Sequence, residues 1–211
     1  TFTCATVVAG LRAAARFASL FAETDRAATY EDAANEIVGA MREHLYSNEA
    51  ERFLRSVNLQ DGRLVEADAT VDSSLFATFY FGCFAAHDPM VTSTMEAIEE
   101  KLLLRTHIGG VARFENDDYV RVTQETTGNP WFICTLWLAE YYIASATTKD
   151  NLSGALELLK WTADRAMPSG VLAEQLNPLT GEPVSVSPLT WSHSTFVAAV
   201  HSYLGKSRDL D

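Results

Sequence analysis

The chain has 211 residues, of which 47% are hydrophobic and 10% aromatic, a composition that excludes a disordered tail and suits one or two folded domains. Its 28 acidic residues against 16 basic ones give a net charge of -12, which repels a polyphosphate backbone and argues against nucleic acid as a partner. No apolar run reaches the roughly 18 to 20 residues that a membrane-spanning helix needs, so no membrane partner is expected.

In chain order, the hydrophobic periodicity predicts helices over roughly 3–22, 30–46, 72–84, 89–105, 130–145, 151–167 and 191–205. Their starts are signalled by Asp72 with Ser73 and Ser74, by Asp88-Pro89, by Asn129-Pro130 and by Asn151. No segment alternates convincingly as a strand, and the chain is expected to be all-α. Short connections near 23–29, 85–88 and 146–150 alternate with long ones near 47–71, 106–129 and 168–190. Each long one exceeds the roughly 12 to 15 residues beyond which a loop is usually functional or disordered. In an up-down array of antiparallel helices every second connection emerges at the same end, so the long loops are expected to share one face.

The helices alternate in character as well. Those starting near 3, 72, 130 and 191 are apolar or small on nearly every side, whereas 30–46, 89–105 and 151–167 carry one apolar stripe and a charged face. One inner and one outer helix per repeat, with a repeat of roughly 60 residues, is the pattern of an α/α toroid whose working face is built from loops. Three and a half such hairpins do not close a ring of six. Residues 1–211 are therefore expected to form the C-terminal part of a single barrel domain, with its remaining helices upstream of Thr1 as its partner. Expressed alone, such a piece leaves apolar surface exposed and should self-associate.

Cys4, Cys83 and Cys134 each sit in an apolar segment and read as buried thiols. The five histidines show neither HExxH nor a Cys/His ligand spacing, and GxGxxG, a Walker loop and GxSxG are all missing. Neither a metal nor an organic cofactor is expected.

Two long loops are dense in polar and aromatic groups. In the first, Arg113 stands among Glu115, Asp117 and Asp118, followed by Tyr119 and Trp131. Such a set can hold a sugar, with charged groups on its hydroxyls and an aromatic face over its C–H side. A solvated acidic loop with Trp131 in the core fits the same composition. In the second loop, Asn177-Pro178 and Thr180-Gly181-Glu182-Pro183 are turn chemistry that doubles the chain back after Glu174, toward Ser185. Glu174 lies between Val171-Leu172 and Leu176, a partly apolar setting in which a carboxylate's orientation can be controlled. On spacing alone, an ordinary exposed loop glutamate is the favoured description.

The segments Ser169-Gly170-Val171-Leu172-Ala173-Glu174-Gln175 and Ser185-Val186-Ser187-Pro188-Leu189-Thr190-Trp191-Ser192-His193 resemble the C-terminal signature of the glucoamylases, glycoside hydrolase family 15, in their prokaryotic branch. Arg113-Phe114-Glu115-Asn116-Asp117-Asp118-Tyr119 and the run from Gly128 to Ala139 resemble the other strong block of that family. The similarity extends over essentially the whole chain. It implies an (α/α)6 barrel and inverting removal of glucose from the non-reducing ends of α-1,4-glucans, with α-glucan or oligosaccharide as substrate and no cofactor. It further implies that Glu174 is the general base activating the attacking water and that Ser185 hydrogen-bonds it. Arg113 and Asp117 would hold the glucose, Trp131 would line the subsite, and Tyr119 and Trp191 would complete the substrate-binding set.

Inversion needs a second carboxylate, the general acid, roughly 6.5 to 9.5 Å from the base. The resemblance assigns it to a Trp-Glu motif just before a helix similar to residues 2–20, and hence upstream of Thr1. None of Glu115, Asp117 or Asp118 matches that motif, so the piece alone is expected to bind α-glucans weakly and not to turn them over. Two departures from the pattern stand out: the inserted run Val120 to Thr127, and Phe114 where Tyr is usual. The competing expectations are an α-glucosidase acting on trehalose or an α-1,6-glucan, and a non-catalytic glucan-binding barrel.

Overall fold

The computed structural model describes residues 1–61 and 63–211 and contains helices close to where the periodicity places them. The chain divides into two compact units, Thr1–Thr70 with Ala77–Thr94, and Val71–Phe76 with Met95–Asp211.

In the first unit, α1 (Phe2–Leu20) and α2 (Thr24–Ala40) pack as an antiparallel hairpin. Small residues make the close approach possible: α1 buries Ala5, Val8, Ala15 and Ala18, and α2 buries Ala34. The turn between them passes through Ala22 at φ 58°, and the Glu23 N–H closes it onto the Ala18 carbonyl. α2 begins six residues before the expected start at 30 because Asp25 suits the first turn and Arg26, Ala27 and Ala28 are good helix formers even without an apolar stripe. Beyond Ala40 the chain widens into a π-helical turn, Met41–Leu45, that buries Met41 and Leu45. Phe17, Leu20 and Phe21 are exposed.

The connection expected near 47–71 is a pair of hairpins. β1 (Tyr46–Ser47) pairs with β2 (Arg52–Phe53), and β3 (Ser56–Gln60) with β4 (Arg63–Asp68), all antiparallel. Gly62 lies outside the described residues. The sequence shows no strand alternation here because β3 presents no buried face: four of its five positions are exposed, so no hydrophobic alternation is needed. The helix expected over 72–84 is likewise broken into a 3-10 turn, Ser73–Phe76, and a single turn α3 (Ala77–Tyr80). Its first residues are held extended instead, since Asp72 bridges to Phe114 and the Ser73 N–H donates to the Arg113 carbonyl at 2.9 Å.

α4 (Pro89–Leu102) leads into the second unit. There α5 (Phe132–Ser145) is the central helix, buried continuously from Phe132 to Glu140. α6 (Ser153–Asp164) and α7 (Thr190–Asp209) pack against it, with Leu136, Leu159 and Ala199 in contact at the crossing. A second cluster of Phe132, Trp161, Leu172, Ala173 and Leu176 fills the space at the start of α5. Burial of a leucine such as Leu136 stabilises by roughly 2 to 5 kcal/mol relative to alanine.

Four two-residue strands form an antiparallel sheet in the order β5 (Val111–Ala112), β6 (Pro130–Trp131), β7 (Gln175–Leu176), β8 (Pro183–Val184). β5 and β6 bracket most of the loop region 106–129, while β7 and β8 belong to the loop 168–190. The two polar loops of this unit are therefore stitched to one another at the N-terminal end of α5, as the alternation of loop lengths implies for that pair. α5 starts at 132 rather than 130 because Pro130 and Trp131 are extended in the sheet. Thr135 locks this junction: its hydroxyl donates to the Trp131 carbonyl at 2.8 Å and accepts from the Val111 N–H at 2.9 Å. Among the described residues, no helix is long and apolar enough to cross a membrane.

Candidate functional site

The sheet places Glu174 next to Gln175, the register partner of Trp131, and the Phe132 N–H reaches the Glu174 carbonyl at 3.4 Å. On its other side the Glu174 N–H donates to the Val186 carbonyl at 2.9 Å, although Gln175 is paired with Val184. One residue, Ser185, is thus extra on that strand. The extra residue makes a β-bulge, and Ser185 adopts φ 64°, the left-handed conformation that such a bulge favours.

The Glu174 side chain is half-buried. Its Oε2 accepts a hydrogen bond from Gln175 Nε2 at 3.1 Å, and among the described residues its Oε1 accepts none. The partner that the sequence reading named, Ser185, lies beside the carboxylate's strand with its side chain exposed. In this structure the hydrogen bond to the carboxylate comes from Gln175. The segment before Glu174 is pinned to the start of α7 by three bonds. Leu189 N–H donates to the Leu172 carbonyl at 3.1 Å, Leu172 N–H to His193 Nε2 at 3.0 Å, and the Ser192 hydroxyl to the Ala173 carbonyl at 2.8 Å. Gln175, Ser192 and His193 as supports of Glu174 were not singled out in the sequence.

Arg113 and Asp117 come together as a bidentate pair, Nε to Oδ2 at 2.8 Å and Nη2 to Oδ1 at 2.7 Å. Asp117 is only 2% exposed, and its Oδ1 also accepts the Tyr119 N–H at 3.0 Å. Both carboxylate oxygens are thereby committed within the loop, so Asp117 orients Arg113 rather than presenting itself outward. Burial opposes the Arg113 charge, but the hydrogen bonds and charge of Asp117 outweigh it and hold the guanidinium's pKa above its ordinary value. The guanidinium carbon sits 4.7 Å from the Trp131 ring centre, 4.8 Å from that of Phe114 and 5.2 Å from that of Tyr119. Aromatic faces on several sides fix the cation by cation–π attraction and displace water from it.

The alternatives for this loop resolve into a mixture. Trp131 is buried, as the core reading required, yet the carboxylates are not a solvated cluster. Asp117 is sequestered, Glu115 accepts the Val71 N–H at 2.8 Å, and only Asp118 is wholly at the surface. Trp131 Nε1 is buried without a hydrogen-bond partner among the described residues. Tyr119 is 47% exposed with its ring 6.1 Å from Trp131. Trp191 is 51% exposed, standing edge-on to Trp137 at 5.7 Å, and Trp137 in turn stacks on Phe76 at 4.4 Å. An exposed indole propped on two rings is a ready stacking face.

The run after Tyr119 is ordered by Arg121, whose guanidinium donates to the Thr123 carbonyl at 2.9 Å and to the Thr126 carbonyl. Asn129 closes the run, accepting the Val122 N–H on Oδ1 at 3.1 Å and donating from Nδ2 to the Val120 carbonyl at 2.9 Å. The sequence marked Asn129 as a helix start and as part of the Gly128 to Ala139 motif run, without a role of its own. Cys83 and Cys134 are buried and Cys4 half-buried, all three as free thiols. Burial pushes the Cys83 thiol up to about 11 and raises Cys134 as well. Among the described residues, no group of three or more His, Cys, Asp or Glu side chains could hold a metal ion.

Comparison with known proteins assigns the chain. The profile of glycosyl hydrolases family 15 matches residues 1–201. An uncharacterized glycosyl hydrolase of Methanocaldococcus jannaschii, MJ1610, is 27% identical over 210 residues, covering 95% of this chain and 32% of that protein. A bacterial glucoamylase solved in complex with acarbose superposes with a TM-score of 0.80 at 23% identity, over 97% of this chain and 33% of that one. The glucoamylase of Saccharomycopsis fibuligera superposes with a TM-score of 0.76 at 16% identity, over all of this chain and 56% of that one. At these identities the superpositions establish the fold. It is the all-α fold of the glucoamylase (α/α)6 barrel, of which this chain covers a part. The chain spans about a third of the length of the curated relative it matches. With most of its length matched by the family profile, the chain belongs to glycosyl hydrolases family 15.

Proposed function

We propose that residues 1–211 are the C-terminal part of a single glucoamylase-type barrel domain, and that they supply the general base of an inverting hydrolase releasing glucose from the non-reducing ends of α-1,4-glucans. The observation that carries this reading is the four-strand sheet. It brings the Glu174 loop beside the Trp131 strand, whose indole forms one wall around the Asp117-oriented Arg113.

In the proposed reaction the free Oε1 of Glu174 takes a proton from water as the water oxygen bonds to the anomeric carbon. The bond from that carbon to the glycosidic oxygen breaks, and a second carboxylic acid protonates the leaving oxygen from the opposite face. That acid is proposed to lie outside residues 1–211, in the remainder of the barrel. Arg113, with an N–H edge left over after Asp117 has taken Nε and Nη2, would donate to sugar hydroxyls. Tyr119 and Trp191 would offer their exposed rings to the sugar's C–H faces. Ser185 would add a second hydrogen bond to the base from the bulge beside it.

The test is the stereochemistry of the first sugar released from maltose by the full-length protein, followed by proton NMR before mutarotation. Inversion at an α-linkage gives β-glucose; a first product that is α-glucose overturns the proposal. A panel including trehalose and an α-1,6-glucan separates the preferred linkage, and binding of all of them without release would favour a glucan-binding barrel.

A further inference from the structure

Glu174 receives its hydrogen bond from a side-chain amide, and an amide can present either an N–H or a carbonyl. An ionised carboxylate can only accept and calls for the N–H, but a protonated carboxyl could donate to the carbonyl instead, and a partner of fixed polarity on the far side of the amide decides between the two. Two buried residues form the connection: Gln175 is 0% exposed and Asn129 is 2% exposed. Gln175 Oε1 accepts from Asn129 Nδ2 at 2.9 Å while Gln175 Nε2 donates to Glu174 Oε2 at 3.1 Å.

The sense of Asn129 is not free, because it faces two main-chain groups of the loop after Tyr119. The Val122 N–H can only donate and takes Oδ1 at 3.1 Å; the Val120 carbonyl can only accept and takes Nδ2 at 2.9 Å. The second hydrogen of Nδ2 then points at Gln175, whose oxygen must turn toward it. Its NH2 is left facing Glu174. The reverse orientation of either buried amide would set oxygen against oxygen or N–H against N–H, at the cost of an unsatisfied buried polar group.

We infer that Asn129 is a positioning residue, which carries the polarity of the Val120 to Val122 backbone through Gln175 and so guarantees that the Glu174 carboxylate meets a donor. This inference rests on the proposed role of Glu174 as the base. It gives the run after Tyr119 a part in catalysis: the loop's own peptide groups set the orientation of the base, leaving Oε1 for the water.

The experiment is a thermodynamic cycle on the full-length protein with maltose, using Asn129→Ala, Gln175→Leu and the double variant, with Glu174→Gln as reference. Losing a hydrogen bond to a charged group corresponds to a fall in kcat on the order of 10-fold to 100-fold, with KM changed less than about twofold. Because Asn129 acts through Gln175, the double variant should be no slower than Gln175→Leu alone. Additive losses, or an unchanged kcat in Asn129→Ala, overturn the inference. Should Asn129→Ala not fold, Asn129→Asp keeps the shape but removes the donor, and is expected to lose kcat to the same extent; full activity in it overturns the inference equally. If Glu174→Gln itself retains activity, the base assignment fails instead, which separates the two claims.

Discussion

Replacing Asp117 by asparagine tests whether the first loop is held the way its geometry implies. The carboxylate makes two charge-assisted bonds to Arg113, at 2.8 and 2.7 Å, and accepts the Tyr119 N–H at 3.0 Å, all while 2% exposed. Asparagine keeps one oxygen for one donor and turns an NH2 toward another, so one charged hydrogen bond is lost and a donor is left facing a donor. Each bond to a charged group is worth about 1.5 to 3 kcal/mol, and partial exposure of the Arg113 side chain lets water repay some of it. A loss of about 1.5 to 3 kcal/mol is expected, read from the shift of the denaturant midpoint at constant slope. Asp118→Asn is the control, because Asp118 is exposed and its contact with Arg121 is 3.4 Å; such a pair contributes about 0 to 1 kcal/mol. An Arg113 freed of its partner should also raise KM for maltose by roughly tenfold, as a misplaced binding group does. If Asp117→Asn matches Asp118→Asn in both stability and KM, the pair does not orient Arg113 and the reasoning is wrong.

Ser185 combines a left-handed backbone with a candidate hydroxyl, and two substitutions separate these. Ser185→Gly should be as stable as the parent or up to about 1 kcal/mol more stable, while Ser185→Ala gains nothing; if the hydroxyl assists the base, both lose the same activity, and full activity in Ser185→Gly removes it from the mechanism. Glu140 on α5 is buried with the Ser202 hydroxyl 3.1 Å away, and burial raises its pKa in the folded chain despite that bond. A carboxyl with a raised folded pKa favours the folded state most fully below the unfolded value and loses that advantage as pH rises through the folded one. Glu140→Gln should therefore be more stable than the parent at pH 7 to 8, with the difference shrinking in chemical denaturation below about pH 4.5; a difference independent of pH would contradict the shift.

How legible each part was follows from how its signal arises. The helices were readable because burial of one face imprints a stripe, as in α6, and burial on all sides leaves an unbroken apolar run, as in α5, where every residue from Phe132 to Glu140 is buried. The strands that build the site left no such imprint: two residues cannot show alternation, and Val111–Ala112 and Gln175–Leu176 are buried on both positions. Fold-back after Glu174 was readable from the turn residues Asn177 to Pro183, since proline and glycine encode backbone geometry directly. The candidate base and its binding partners came from motif resemblance; the amides Asn129 and Gln175 lie in the same motif segments, but nothing in the sequence marked them as joined to each other or to the base. Their function lies in hydrogen bonds across 46 positions of sequence, and only the β6–β7 pairing brings them together. The break of the helix expected over 72–84 has the same cause, since Asp72 is captured by Phe114 from a distant loop.

The most direct measurement of the central claim is the turnover of maltose by Glu174→Gln in the full-length protein, alongside the parent. Removing a general base is expected to lower kcat by roughly 100-fold to 10,000-fold, with substrate binding preserved because the amide keeps the shape and the Arg113, Trp131 and Tyr119 wall is untouched. A kcat within a few-fold of the parent would contradict the account, because the carboxylate would then not be the group that takes the proton from water.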